Sequence, residues 1–183
     1  GDLQRADERD LMRRYGEEGL RLSRLARGID TREVDPERET KSVSAETTFD
    51  SDIADFRPLE QHLWHLCEKV SSRLKAQGLA GATVTLKLKS ADFKLRTRAR
   101  SLGSPTQLAT RIFEAGRDLL RLEVGATRFR LIGIGVSHLD DGGGDDLSDL
   151  IGRRAAQAEH AVDALRSKFG RDAVVKGLAI EEE

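Results

Sequence analysis

The sequence predicts an α+β protein: a ferredoxin-like βαββαβ sandwich, with a four-stranded antiparallel sheet, two helices on one face, and short helical N-terminal and C-terminal extensions. Three observations point there. Apolar residues alternate with polar ones in four stretches, the period of half-buried strands. In two intervening stretches they recur at three, four and seven, the period of an amphipathic helix. Along residues 41–139 these stretches follow the order β-α-β-β-α-β.

In chain order, Asp7 is a plausible N-cap for a helix over 8–15, with Gly16 after it, and a second helix over 18–27 ends at Gly28. Two short helices with so few apolar residues belong to a larger helical domain, so residues 1–30 read as part of one. Residues 31–40 contain Pro36 and almost nothing apolar, which reads as an extended linker. A strand is expected over 41–49, with Ser42 and Ser44 on its outward side. The helix over 59–77 carries Leu59, Leu63, Leu66, Cys67, Val70 and Leu74 on one stripe and stops at Gly78. Strands over 82–90 and 93–101 follow. Ser104 as N-cap and Pro105 at N1 are expected to open the next helix, with Leu108, Ile112, Ala115, Leu119 and Leu122 facing the core. The last strand spans 127–139, where Ile132 and Ile134 share the phase of Arg128 and Arg130; either a bulge or burial on both faces would account for it. Residues 140–183 form an acidic glycine spacer, the apolar motif LSDLIG, a helix over 153–169 capped by Gly170, and a tail that adds a strand or trails.

The net charge of −1 hides an uneven distribution. Residues 1–40 carry nine Lys/Arg against eleven Asp/Glu, residues 41–139 sixteen against ten, and residues 140–183 six against eleven. A basic middle between acidic flanks suggests a nucleic-acid-binding module. One cysteine excludes an internal disulfide and fits a reducing compartment. No apolar run reaches the roughly 18 residues a membrane span needs. The chain is therefore expected to be cytoplasmic, without a membrane partner, and a fragment of something larger.

Helices on one face leave the other face of the sheet free. The alternation assigns to it Ser42 and Ser44, Lys87 and Lys89, the series Lys94, Arg96, Arg98 and Arg100, and Arg128 and Arg130. A sheet face of one sign is an electrostatic footprint for a phosphate backbone. Phe93 and Phe129 are out of phase with the cations and are expected in the core, so the face lacks aromatic platforms and should grip sugar-phosphate rather than splayed bases. Catalytic chemistry is not apparent. His62 and His65 flank the apolar stripe without further ligands, Cys67 lies on that stripe, and Ser137-His138 has no orienting acid at a readable spacing. Gly133 and Gly135 sit inside a strand rather than at a phosphate-binding turn. The spacer DDGGGDD lacks the final glutamate of a calcium loop. No metal and no cofactor are expected in this chain.

The segments ARGID, KSVSAETTF, ADFKLRTRARSL, SPTQLATRIF and RFRLIGIGVSHL, in that order, resemble the C-terminal part of a bacterial Y-family DNA polymerase, over nearly the whole chain. The resemblance implies part of a thumb (1–30), a tether (31–40) and the little finger (41–139), a domain that lays its sheet on duplex primer-template DNA and holds the backbone in error-prone translesion synthesis and DNA repair. It assigns DNA contacts to Ser42, Ser44, Arg98, Arg100, Ser101, Arg128 and Arg130. Gly135 departs from the pattern, some relatives carrying a cation near it. The catalytic carboxylates and Mg²⁺ ions of such a nucleotidyltransferase belong to a palm upstream, so the chain should not synthesise DNA alone. Leu147, Leu150 and Ile151 resemble the peptide by which such polymerases dock on a sliding clamp, with Asp146 in place of glutamine and Ile151 in place of an aromatic. A reading of another class is a protein-interaction module that recruits a partner such as the clamp through its tail, the basic sheet serving solubility alone.

Overall fold

The structure, a computed structural model, describes residues 1–33, 39–141, 150–175 and 177–179. The chain divides into two compact units, Gly1–Glu39 and Thr40–Glu183.

In the first unit a single turn, α1 (Asp2–Arg5), precedes α2 (Glu8–Ala26). The Asp7 carboxylate accepts from the amides of Arg9 at 2.7 Å and Asp10 at 3.3 Å, filling two donors that the first helical turn leaves open. Gly16, at φ 62° and ψ −148°, breaks α2 into the two segments the sequence suggests. Arg27 ties the end of α2 to α1, donating to the carbonyls of Gln4 and Ala6 at 3.2 Å each.

The second unit has the expected element order: β1 (Ser42–Ile53), α3 (Phe56–Ala76), β2 (Leu79–Ser90), β3 (Leu95–Thr106), α4 (Ala109–Glu123) and β4 (Phe129–Asp141), followed by α5 (Leu150–Phe169) and two 3₁₀ turns. The four strands form one antiparallel sheet in the order β1-β4-β2-β3. The last strand therefore lies inside the sheet, and β1 and β3 are its edges. Between the sheet and helices α3 and α4 lies the core, with Leu59, Leu63, Leu66, Leu86, Leu88, Ile112, Leu120, Ile132 and Ile134 at most 2% exposed.

Three local expectations change. First, β3 runs to Thr106, past Ser104 and Pro105, and α4 starts at Ala109. The pairing Thr83↔Ser101 jumps to Gly81↔Thr106, so the sheet register absorbs these residues as an irregularity. An edge strand tolerates a proline, whose missing N–H would break a ladder inside a sheet. Second, Leu122 is 79% exposed, and Leu120 fills the core in its place beside the expected Leu119. Third, Phe93 is 60% exposed at φ 65°, whereas Phe129 is buried as expected.

The acidic tail folds against the helical side of the unit. Lys75 on α3 binds Glu159 at 3.0 Å and Asp163 at 2.7 Å on α5, and Arg166 binds Glu68 at 2.8 Å. Leu178 packs on the core.

Candidate nucleic-acid interface

In an antiparallel sheet directly opposed residues share a face, so the registers assign every side chain. The uncovered face is a grid of four rows read from β1 through β4 and β2 to β3: Ser42, Ser137, Thr83, Ser101; then Ser44, Gly135, Thr85, Ala99; then Glu46, Gly133, Lys87, Thr97; then Thr48, Leu131, Lys89, Leu95. One end is thus a band of hydroxyls. Down the middle of the sheet two glycines leave the floor bare, and a Cβ on Gly133 would stand 2.9 Å from the Cβ of Glu46.

The structure brings Ser42, Ser44, Ser101, Lys87 and Lys89 together on this face, and it does not bring Arg96, Arg98 and Arg100 there. Those three oppose Leu88, Leu86 and Val84, and so end the apolar rows of the helix-covered face. At the sheet edge they reach the acids of α4: Arg96 lies 3.3 Å and Arg98 2.7 Å from Glu123, whose side chain is only 7% exposed, and Arg100 lies 2.6 Å from Asp118. Lys94 precedes β3 and pairs with Asp92 at 2.7 Å. The Lys94 ammonium and the Ser90 hydroxyl hold Asp92 down to about 2.

The reason is the length of the β2–β3 connection. Opposed residues in this hairpin, such as Lys89 with Leu95 and Leu86 with Arg98, pair odd with odd and even with even. The lysines of β2 are odd-numbered and the arginines of β3 even-numbered, so a period of two within each strand puts them on opposite faces.

Arg130 settles the broken alternation of β4. Lys89 pairs with Leu131 and Ser90 with Phe129, so Arg130 is the extra residue of a β-bulge. The bulge lets Phe129 point into the core. The Arg130 guanidinium lies 4.1 Å from the centroid of the Phe93 ring, and Lys89 Nζ lies 5.0 Å from it. Arg128 donates to the Asp52 carbonyl at 3.0 Å.

Charge balance separates these cations. Lys87 is matched by Glu46 at 2.7 Å across Gly133. Lys89 and Arg130 have no carboxylate partner among the described residues. Local excess charge on the open face therefore gathers at its fourth row, beside an exposed phenyl ring and Leu95, itself 58% exposed. Sequence reasoning missed Phe93, Thr83 and Ser137. The hydroxyl row was readable only with the register, because Ser137 and Thr83 share a line with Ser42 only once β4 is known to lie between β1 and β2.

No group of three or more His, Cys, Asp or Glu among the described residues is placed to hold a metal. His62 lies against the Phe49 ring at 4.7 Å between centroids. Cys67 is fully buried, and burial pushes its thiol well above the usual 9.0, so it is no nucleophile at neutral pH. Leu147 lies outside the described residues, as do the side chains of Leu150 and Ile151. No helix among the described residues is long and apolar enough to cross a membrane.

Residues 40–148 match the C-terminal domain of the impB/mucB/samB family. A protein named DNA polymerase IV 1 from Mesorhizobium japonicum is 61% identical over 180 residues, 97% of this chain and 41% of that protein. A DNA polymerase IV from Brucella melitensis is 54% identical over 185 residues, all of this chain and 42% of that protein. The chain thus spans about two fifths of the length of these relatives. Among solved structures, a Y-family DNA polymerase chimera of Dbh and Dpo4 superposes with a TM-score of 0.56 at 15% identity, covering 77% of this chain and 41% of that one, a likeness of fold.

Proposed function

The chain belongs to the impB/mucB/samB family, and on that premise we propose that it is the DNA-holding part, little finger and adjoining helices, of a Y-family translesion polymerase of the DNA polymerase IV kind. The observation that supports the reading most is the open sheet face: four rows free of helices, floored by glycine, with hydroxyls at one end and the unneutralised charges of Lys89 and Arg130 at the other. Hydroxyls donate to phosphate oxygens and cations offset their charge, and neither reads base sequence. The domain then positions duplex primer-template DNA, and nucleotidyl transfer with its Mg²⁺ ions falls to a palm that is not among the described residues.

The edge arginines Arg98 and Arg100 take a lesser part, because Glu123 and Asp118 already offset them. A sliding clamp is the second partner in this reading. The candidate docking peptide for it includes Leu147, Leu150 and Ile151.

The test is binding of the 183-residue chain to a labelled primer-template duplex, followed by fluorescence anisotropy across salt. Each phosphate contact contributes a log-log slope of about −0.9. The double change Lys89→Ala with Arg130→Ala should flatten the slope by roughly 2, while affinity that is indifferent to salt sinks the proposal.

A further inference from the structure

We propose that Phe93 is itself a DNA contact, its ring packing against a deoxyribose of one strand while Lys89 and Arg130 take the phosphates on either side; this rests on the function just proposed. Three features of the fourth row converge on it. An aromatic side chain is 60% exposed at the end of the sheet, whereas Trp64, Phe113 and Phe129 are at most 9% exposed; the domain's other exposed phenylalanine, Phe169 at 64%, lies at the end of α5 and away from the open face. Its backbone stands at φ 65°, the left-handed position of the β2–β3 hairpin turn, which glycine or asparagine usually fills and a bulky side chain rarely does. Two like charges are gathered at the ring, 4.1 Å and 5.0 Å from its centroid, with no carboxylate among the described residues to offset them.

A ring between unneutralised cations matches one chemistry closely. A nucleic-acid strand alternates an apolar sugar face with a phosphate. Leu95 and Leu131, on either side of Lys89 in the register, extend the apolar part of the surface. Aromatic contacts to nucleic acid are sequence-tolerant, as a domain that positions any duplex requires. An interior role for Phe93 is ruled out by its exposure. A role in folding is disfavoured by its φ, which glycine would adopt without strain.

The conformation supplies the test, because one substitution separates stability from contact. In the 183-residue chain, Phe93→Gly should leave the melting temperature unchanged or raise it. The same change should weaken binding to a labelled primer-template duplex by about 5- to 10-fold. Phe93→Tyr keeps the ring and should bind as the unaltered chain does. The log-log salt slope of Phe93→Gly should stay parallel to that of the unaltered chain, since Lys89 and Arg130 still release the same counterions. Unchanged affinity in Phe93→Gly overturns the proposal, and so does a slope flattened by about one contact, which would make the ring only a support for the cations. An unaltered chain that does not bind duplex overturns the function proposed above along with it, whereas normal binding by both chains overturns only the role of Phe93.

Discussion

The carboxylate of Glu159 on α5 caps the N-terminus of α4 through Thr110: one oxygen accepts from the Thr110 amide at 3.0 Å and its hydroxyl at 2.8 Å, and the other from the Ala109 amide at 3.0 Å. Residue 108, where a local cap would stand, is a leucine with no oxygen to offer. A residue fifty positions away does the work instead, and it places a negative charge at the positive end of the helix. Lys75 completes the site at 3.0 Å.

Glu159→Gln should lower the stability of the domain by about 1–2 kcal/mol, the usual worth of a cap. In thermal unfolding that is a fall of roughly 2–8 °C for a domain of this size. The effect depends on pH. Burial alone would raise the Glu159 pKa, but the Thr110 amide, the Lys75 charge and hydrogen bond, and the Thr110 hydroxyl outweigh it and hold the group below the usual 4.5. A carboxylate with a lowered folded-state pKa contributes fully above its unfolded value and loses that contribution as pH falls through the folded one. Melting temperature should therefore decline below pH 4.5, and the decline should be shallower in Glu159→Gln. Equal profiles for the two chains would show that α5 does not hold α4.

Glu123 should make Arg96 and Arg98 redundant with each other. Its side chain is 7% exposed and held by both, so removing either arginine leaves the other, and each single alanine should cost under about 1 kcal/mol. Removing both leaves a buried carboxylate unpaired, at a cost of about 2 kcal/mol or more. Urea denaturation of the two single variants and the double should show that excess over the sum. The same double variant should change the salt slope of DNA binding less than loss of Lys89 and Arg130, since Glu123 already offsets the charge it removes.

The architecture was legible because each element states its period: Val84, Leu86 and Leu88 alternate as a strand must, and Leu59, Leu63, Leu66, Val70 and Leu74 recur as a buried helix stripe must. Relations between elements were not. Whether Arg98 shares a face with Lys87 depends on how many residues the hairpin spends between them, and period two within a strand is silent on that. Ser104-Pro105 carries a real helix-start signal, yet the edge position of β3 and the carboxylate of Glu159 move the start to Ala109. The place of Ser42 and Ser44 on the open face was readable from their alternation, and the exposure of Phe93 was not, because a positive φ at a phenylalanine has no local signature.

Cys67 should be silent to thiol reagents in the folded chain. It is fully buried on the inner stripe of α3, and burial, with the neighbouring charge of Glu68, pushes its thiol well above 9.0. The thiolate is the reactive form, so both access and ionisation are denied. A colorimetric disulfide reagent should titrate no thiol at neutral pH and one per chain in denaturant, one being the number of cysteines present. Rapid reaction in the absence of denaturant would mean that α3 opens locally.

Gly133→Ala should test how much the bare floor of the open face matters to both stability and binding. The added methyl carbon would stand 2.9 Å from the Cβ of Glu46, closer than such atoms approach, and a Cβ cannot swing aside as a side-chain tip can. β1 must therefore move away from β4, at a cost of about 1–3 kcal/mol. Gly135 is less tight, its added carbon meeting the Ser44 Cβ at 3.1 Å, so Gly135→Ala should cost less. Displacing β1 also carries Glu46 away from Lys87, now 2.7 Å apart, and the Ser42 and Ser44 hydroxyls out of line with the rest of the face. Duplex affinity measured well below the melting temperature should then fall more in Gly133→Ala than in Gly135→Ala. Should Gly133→Ala instead melt and bind like the unaltered chain, the close approach of β1 to β4 would not be what shapes the interface.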